Sequence, residues 1–249
     1  MDRTDRPQAA RYDGQGEPDL ALRLGVPRLV LLETTTSTLD VAHELGAHGA
    51  PNGALVLADE QTAGRGRRGR SWFSPRGGGI WLTMLLRPGA MPTVGALSIR
   101  AGLAAVDALT AVAPGLAPQL KWPNDLMVKG RKAGGILCEA RWNGDALGWV
   151  AVGVGINVKG PLAPDVRDIA VALDEVLLTV DRESVLRELV PRLAGIAETG
   201  GDLTEEERGH FLRAAWRPAG GEKLEGIAPD GALLVRRPNG SLDRRIEPA

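Results

Sequence analysis

The sequence is poor in cysteine and aromatic residues, with one Cys, two Phe and one Tyr in 249 residues. The lone Cys138 excludes an intrachain disulfide, and its apolar run Gly135-Ile136-Leu137-Cys138 suits a buried, inert thiol in a reducing cytoplasm. No stretch approaches the roughly 18 unbroken apolar residues of a membrane span, and residues 1–19 carry no apolar core of the signal-peptide kind. A soluble, unexported protein is expected. Charge of one sign is lacking too: 30 Lys and Arg face 31 Asp and Glu, so no global field draws the chain to nucleic acid or an anionic membrane. The three histidines, His43, His48 and His210, share no ligand spacing, and no protein metal site is expected.

Residues 1 to about 26 are polar and Gly/Pro-bearing, and read as a flexible tail too short for a DNA-binding domain. Leu29-Val30-Leu31-Leu32 reads as a buried strand, and Ser37-x-x-Asp40 as the cap of a helix through Leu45. Ala54 to Ala58 is a second strand, feeding a mobile loop from Asp59 to Gly79. Ile80 to Leu86 is a strand again, and Val94 to Ala111 a helix with a small-residue face. From Gln119 to Val158, strands alternate with turns too short for crossovers, so neighbours pair antiparallel. Leu186, Leu189, Val190, Leu193 and Ile196 form an amphipathic stripe, and Thr204-x-x-Glu207 caps a last helix through Ala215. Glu222 to Ala228 and Ala232 to Arg236 suggest a small β appendage. The expectation is an α+β protein: a catalytic domain over residues 27–215 with a mixed or antiparallel sheet and segregated helices, then a small β domain over 216–249.

Three segments carry chemistry. Gly64-Arg65-Gly66-Arg67-Arg68-Gly69-Arg70 places four cations on a backbone that glycine leaves free to close around an anion. Its Gly-x-Gly-x-x-Gly spacing fits a dinucleotide fingerprint, but Ser71-Trp72-Phe73-Ser74-Pro75 does not open the helix that motif needs. No Gly-Lys-Ser/Thr completes a Walker A loop either. Taken alone, a solvated basic loop, or a nucleic-acid patch stacking on Trp72 and Phe73, explains it as well. Lys121-Trp122-Pro123-Asn124-Asp125, followed by Arg131-Lys132-Ala133-Gly134-Gly135, sets cations, a turn carboxylate and glycines beside a strand; a polar hairpin is the plainer reading. Gly153-Val154-Gly155-Ile156-Asn157 alternates glycine along a strand, which leaves a flat slot on one face or marks a bulge.

In this order, with the Ser37-Thr38 corner and Gln61, the segments from Leu29 to Asn157 resemble the catalytic domain of biotin protein ligases. The resemblance implies a fold of the class II synthetase type with a small C-terminal SH3-like domain, of which the region after Arg217 matches only a part. It implies ATP-dependent activation of biotin to biotinyl-5′-AMP, with magnesium arriving on ATP, and transfer of biotin to a lysine of a biotin carboxyl carrier protein. Ser37, Thr38, Gln61 and Gly64 would then line the biotin site. Arg65, Gly66 and Arg67 would close over biotin and the phosphates, and Lys132 would lie beside the biotin carboxylate and α-phosphate. Gly135, Gly153 and Gly155 would let backbone pack against biotin, and Trp72 and Asn157 would meet the nucleotide. Lys121 completes the catalytic cations, and Asp125 is the candidate to orient the acceptor lysine or take its proton.

A lipoate ligase or octanoyl transferase of related fold is the nearest alternative, and the pairing of the arginine loop with Lys121 to Asp125 favours biotin over it. A nucleic-acid-binding module is a third reading, opposed by the balanced charge. Repression of transcription is not expected. A homodimer through a strand edge formed by Ile136 to Trp142 with Gly148 to Val154 is one arrangement the pattern allows.

Overall fold

The computed structural model describes residues 10–88, 93–217 and 223–246. Its first elements are a hairpin of β1 (Arg11–Tyr12) and β2 (Gln15–Gly16) and the helix α1 (Glu17–Leu24). The expected flexible tail is thereby corrected from residue 10 onward, while residues 1–9 lie outside the described residues. Apolar residues are few in this segment, but Tyr12, Leu20 and Leu24 are all buried in the main core. Pro18 and two acidic residues sit in the first turn of α1, and Gly25, at φ 66°, ends it in the left-handed conformation.

Seven strands form the main sheet. They are β3 (Leu29–Thr35), β4 (Ala54–Gln61), β5 (Gly79–Leu86), β6 (Gln119–Lys121), β7 (Asp125–Val128), β8 (Arg131–Asn143) and β9 (Ala146–Asn157). The order is β3-β4-β5-β9-β8-β7-β6. The helix α2 (Thr38–Ala47) carries the chain from β3 back to β4, and a crossover of that kind makes the pair parallel. Every other neighbouring pair is antiparallel, as the short turns after residue 119 dictate, so the sheet is mixed.

The helices α3 (Val94–Val112) and α4 (Arg182–Gly195) pack together, α3 against β8 and α4 against β5, whose eight residues are all buried. By length and composition α3 is apolar enough to cross a membrane, but 67% of its apolar window is buried inside the fold. A lone helix of this kind is weak grounds for a membrane protein. The helix α5 (Glu205–Ala214) opens with the expected capping box of Thr204 and Glu207. Among the tryptophans, Trp81 and Trp149 are buried, whereas Trp142 is 49% exposed near the tip of the β8–β9 hairpin.

The C-terminal appendage is a three-stranded antiparallel meander of β10 (Lys223–Ile227), β11 (Leu233–Arg236) and β12 (Leu242–Arg245). Its third strand has a single apolar residue, Leu242, which is exposed, so hydrophobic alternation could not announce it. The turn at Pro229-Asp230-Gly231 is docked on the domain of the seven-stranded sheet. Trp122 Nε1 donates to the Gly231 carbonyl (2.9 Å), Thr93 Oγ1 donates to that of Asp230 (2.9 Å), and a Cβ on Gly231 would meet the Gly95 carbonyl carbon at 2.6 Å.

Candidate functional site

Where β8 and β9 lie side by side, Gly135 pairs with Gly155 and Leu137 with Gly153. Paired residues share a face, so three glycines open one shallow slot in it. A Cβ on Gly155 would lie 2.7 Å from Trp72 Nε1, and one on Gly153 would lie 3.3 Å from both the Leu137 carbonyl and a Leu39 methyl. Above this floor is a cavity of about 770 Å³, bounded by the Ser37-Thr38 corner, the arginine loop, the Lys121 to Asp125 turn and residues 159–170. Trp72 lies in it with a buried Nε1 that has no hydrogen-bond partner, a donor suited to a ligand acceptor.

The corner is braced from within. Ser37 caps α2, with its Oγ accepting from Leu39 N at 3.4 Å. Gln61 Oε1 accepts from both Thr38 N (2.9 Å) and Thr38 Oγ1 (3.2 Å), while Gln61 Nε2 donates to Ser74 Oγ (2.8 Å). An amide side chain accepts at one end and donates at the other, so this Gln ties the start of α2 to the return limb of the loop. Since the Thr38 hydroxyl gives its proton to Gln61, it accepts from Thr83 Oγ1 at 2.8 Å.

The arginine loop has a definite shape. Trp72 N donates to Gly64 O and Gly66 N to Arg70 O, both at 2.8 Å, making a small antiparallel excursion. Gly64 is required there, because a Cβ would lie 2.5 Å from the Trp72 carbonyl. One 3₁₀ turn, Arg67–Gly69, forms the tip, with Arg68 at φ 58°. Arg67 lines the cavity, with Gly66 beside it. Arg65, on the wall as well, reaches to the flank: it donates to Asp40 Oδ1 (2.5 Å) and Glu139 Oε2 (3.4 Å), residues that sequence reading did not assign to the site.

Lys132 and Gly135 are three apart, so a regular strand would place them on opposite faces. A register shift at Ala133 inserts one extra residue in β8 opposite β7 and brings Lys132 onto the glycine face. There Lys132 Nζ lies 2.5 Å from Asp125 Oδ1 and 5.2 Å from the Trp72 ring centroid. The turn holding Asp125 is clamped to β8 by Asn124, whose Nδ2 donates to Ile136 O (2.7 Å) and whose carbonyl accepts from Ile136 N (2.9 Å). Lys121 stands apart, its Nζ over the Trp216 ring at 4.9 Å on the cavity wall. Of the two lysines, Lys132 is the one that pairs with Asp125. Asn157 is buried, with Nδ2 3.4 Å from Val171 O, and burial pushes the Cys138 thiol up to about 12. Residues 159–170 contribute Pro161, Leu162 and Asp168 to the wall, with no pattern to mark them beforehand.

The expected dimer edge needs correction. Because β9 runs between β5 and β8, Val150 to Val154 is interior, and β8 beyond Gly135, where β7 has ended, presents the edge in this region.

Fold and site together define an α+β domain with one ligand cleft on the glycine face of a mixed sheet. The chain belongs to the Biotin/lipoate A/B protein ligase family, whose pattern it matches over residues 31–157. The biotin–[acetyl-CoA-carboxylase] ligase of Paracoccus denitrificans is 36% identical over 247 residues, covering 88% of this chain and 97% of that protein. The bifunctional ligase/repressor BirA of Bacillus spizizenii is 38% identical over 167 residues, covering 65% of this chain and 51% of that protein; the chain thus spans about half the length of this relative. The structure of biotin protein ligase from Aquifex aeolicus in complex with biotin and ATP is similar with a TM-score of 0.72 at 26% identity, over 89% of this chain and 96% of that one.

Proposed function

We propose that the chain joins biotin to ATP as biotinyl-5′-AMP and passes the biotinyl group to a lysine of a biotin carboxyl carrier protein, as a cytoplasmic biotin protein ligase. The observation that carries this is a single cavity gathering the Ser37-Thr38 corner, Gln61, Arg65 to Arg67, Trp72, Lys132, the glycine floor and Asn157. The glycine floor and the α2 corner would take the biotin ring, with Ser37, Thr38, Gln61 and Gly64 nearest its polar edge. In the first step a biotin carboxylate oxygen attacks the α-phosphorus of ATP and pyrophosphate leaves. Like charges meet there, so Lys132 and Arg67 would offset the repulsion from fixed positions, and Trp72 and Asn157 would border the nucleotide. Magnesium is expected to travel with ATP, as the resemblance implies. In the second step the amine of the acceptor lysine attacks the acyl carbon and AMP leaves. Asp125 would orient that amine or take its proton once Lys132 turns to the ligand.

The catalytic unit so defined runs over residues 27–215 with the hairpin and α1 added to it, and residues 216–249 form an accessory domain. Self-association, if it uses the sheet, would use the β8 edge. The test is incubation with α-labelled ATP, magnesium and either biotin or lipoate, followed by chromatography for the acyl adenylate. Adenylate with biotin supports the reading; adenylate with lipoate alone moves the chain to the other branch of its family, and none with either overturns the assignment.

A further inference from the structure

Arg65 lies across one end of the slot. Its guanidinium bridges Asp40, in the first turn of α2, to Glu139 on β8. One residue pair deeper, Leu39 and Leu137 flank Gly153 at the floor. Glu139 does not rely on Arg65 alone. Its Oε2 also accepts from His43 Nε2 at 2.9 Å and lies 3.7 Å from the Arg141 guanidinium. Trp149 Nε1 donates to His43 Nδ1 at 3.1 Å, which fixes the tautomer with the proton on Nε2, facing Glu139. A buried tryptophan thus orients a histidine, and the histidine orients a carboxylate, so that Glu139 meets the loop in one position. Gly64 and Gly66, either side of Arg65, are the loop residues tied to the return limb by backbone hydrogen bonds, so pinning Arg65 pins the whole excursion.

We propose that Asp40 and Glu139 are positioning residues that act through Arg65 to bar this end of the slot, and so retain the acyl adenylate between its formation and its transfer. The proposal rests on the ligase reading above. It predicts an effect on escape rather than on chemistry, because neither carboxylate reaches the glycine floor or Lys132.

The experiment uses the full chain as wild type, Asp40→Asn, Glu139→Gln and the double variant. Each is loaded with biotin and α-labelled ATP, freed of excess ligand, and followed for loss of bound adenylate to solution. Adenylate formation in a single turnover and thermal midpoint are measured alongside. Release should quicken about two- to fivefold for each carboxylate, the range expected of a half-exposed ion pair, and about tenfold in the double variant, with formation within about twofold of wild type. Asp40→Asn leaves the His43 pair untouched and so reports on retention even if Glu139→Gln disturbs packing. Release at the wild-type rate in all variants, or formation slowed as much as release is quickened, overturns the proposal alone. A wild type that forms no biotinyl adenylate overturns the ligase reading and the proposal with it.

Discussion

Lys132 and Asp125 form a 2.5 Å ion pair only because β8 carries an extra residue at Ala133. The bulge turns a lysine that strand parity would send to the far face toward the glycine floor, and the carboxylate holds it there. Replacing Lys132 with Ala removes a charge-assisted contact to the phosphate, worth about 1.5 to 3 kcal/mol, so adenylation should slow about tenfold to several hundredfold. Asp125→Asn should separate the two steps: adenylate still forms, while transfer to the carrier slows about a hundredfold or more if the carboxylate takes the amine's proton. Rapid-quench measurement of each half-reaction checks both, and normal rates in both steps for Asp125→Asn would remove Asp125 from the mechanism.

The glycine floor makes a sharper steric prediction. A methyl at Gly155 would stand 2.7 Å from the Trp72 ring, which cannot yield without leaving the slot. Gly155→Ala should therefore raise the KM for biotin about tenfold or more while the fold survives, because the side chain it meets lines a cavity rather than the core. Titration calorimetry with biotin against the thermal midpoint tells the two apart; unchanged affinity would mean the slot is not where biotin sits.

Much of this site could be read from residue order alone. The hairpins from Gln119 to Asn157 follow from turns too short to cross over, and alternating Gly153 and Gly155 imply a slot whatever the partner strand. Three things were hidden for physical reasons. The bulge at Ala133 depends on register, which no local pattern encodes. Glu139 lies 96 residues from His43, and the tertiary fold alone brings it to Asp40 and His43 on α2. The hairpin before α1 has too few apolar residues to register as a packed element, yet Tyr12, Leu20 and Leu24 all point inward. A buried arginine more than 160 residues away in sequence also binds it.

Acid should weaken the fold through His43. Burial is the main cause that holds this imidazole below its ordinary value of 6.5, and its Nδ1 must stay unprotonated to accept from Trp149. Glu139 favours the charged ring while Arg141 and Arg65 oppose it. The folded chain thus binds this proton more weakly than the unfolded chain does. The contribution is complete above 6.5 and is lost as pH falls below it toward the lower folded value. The thermal midpoint should drop between pH 7 and pH ~5, and His43→Gln, which can still accept and donate but does not titrate, should flatten that drop. Equal slopes for the two proteins would assign the acid sensitivity elsewhere.

Arg182 ties the N-terminal hairpin to the strand end beside the site through a buried guanidinium. It donates to Asp13, to Asp59 Oδ1 at 2.6 Å, and to Gly79 O at 3.4 Å, and stacks 3.9 Å from the centroid of Tyr12, whose hydroxyl also donates to Gly79 O at 3.1 Å. Removing the cation leaves Asp59, a carboxylate only 14% exposed, with its closest partner gone. Breaking a buried pair from one side costs about 3 to 5 kcal/mol, and Asp13, being more exposed, can rehydrate, so Arg182→Met belongs at the lower end, near ~3 kcal/mol. At this chain length that is a fall of roughly 6 to 12 °C in thermal midpoint. Asp13→Asn should cost far less, since Arg182 keeps Asp59. Because Gly79 pairs directly with Asn157, loosening the clasp should also raise the KM for ATP more than that for biotin. Calorimetry with steady-state kinetics on both variants checks the ordering, and an Arg182→Met protein as stable as wild type would show that the hairpin is held by Tyr12 and Leu20 packing alone.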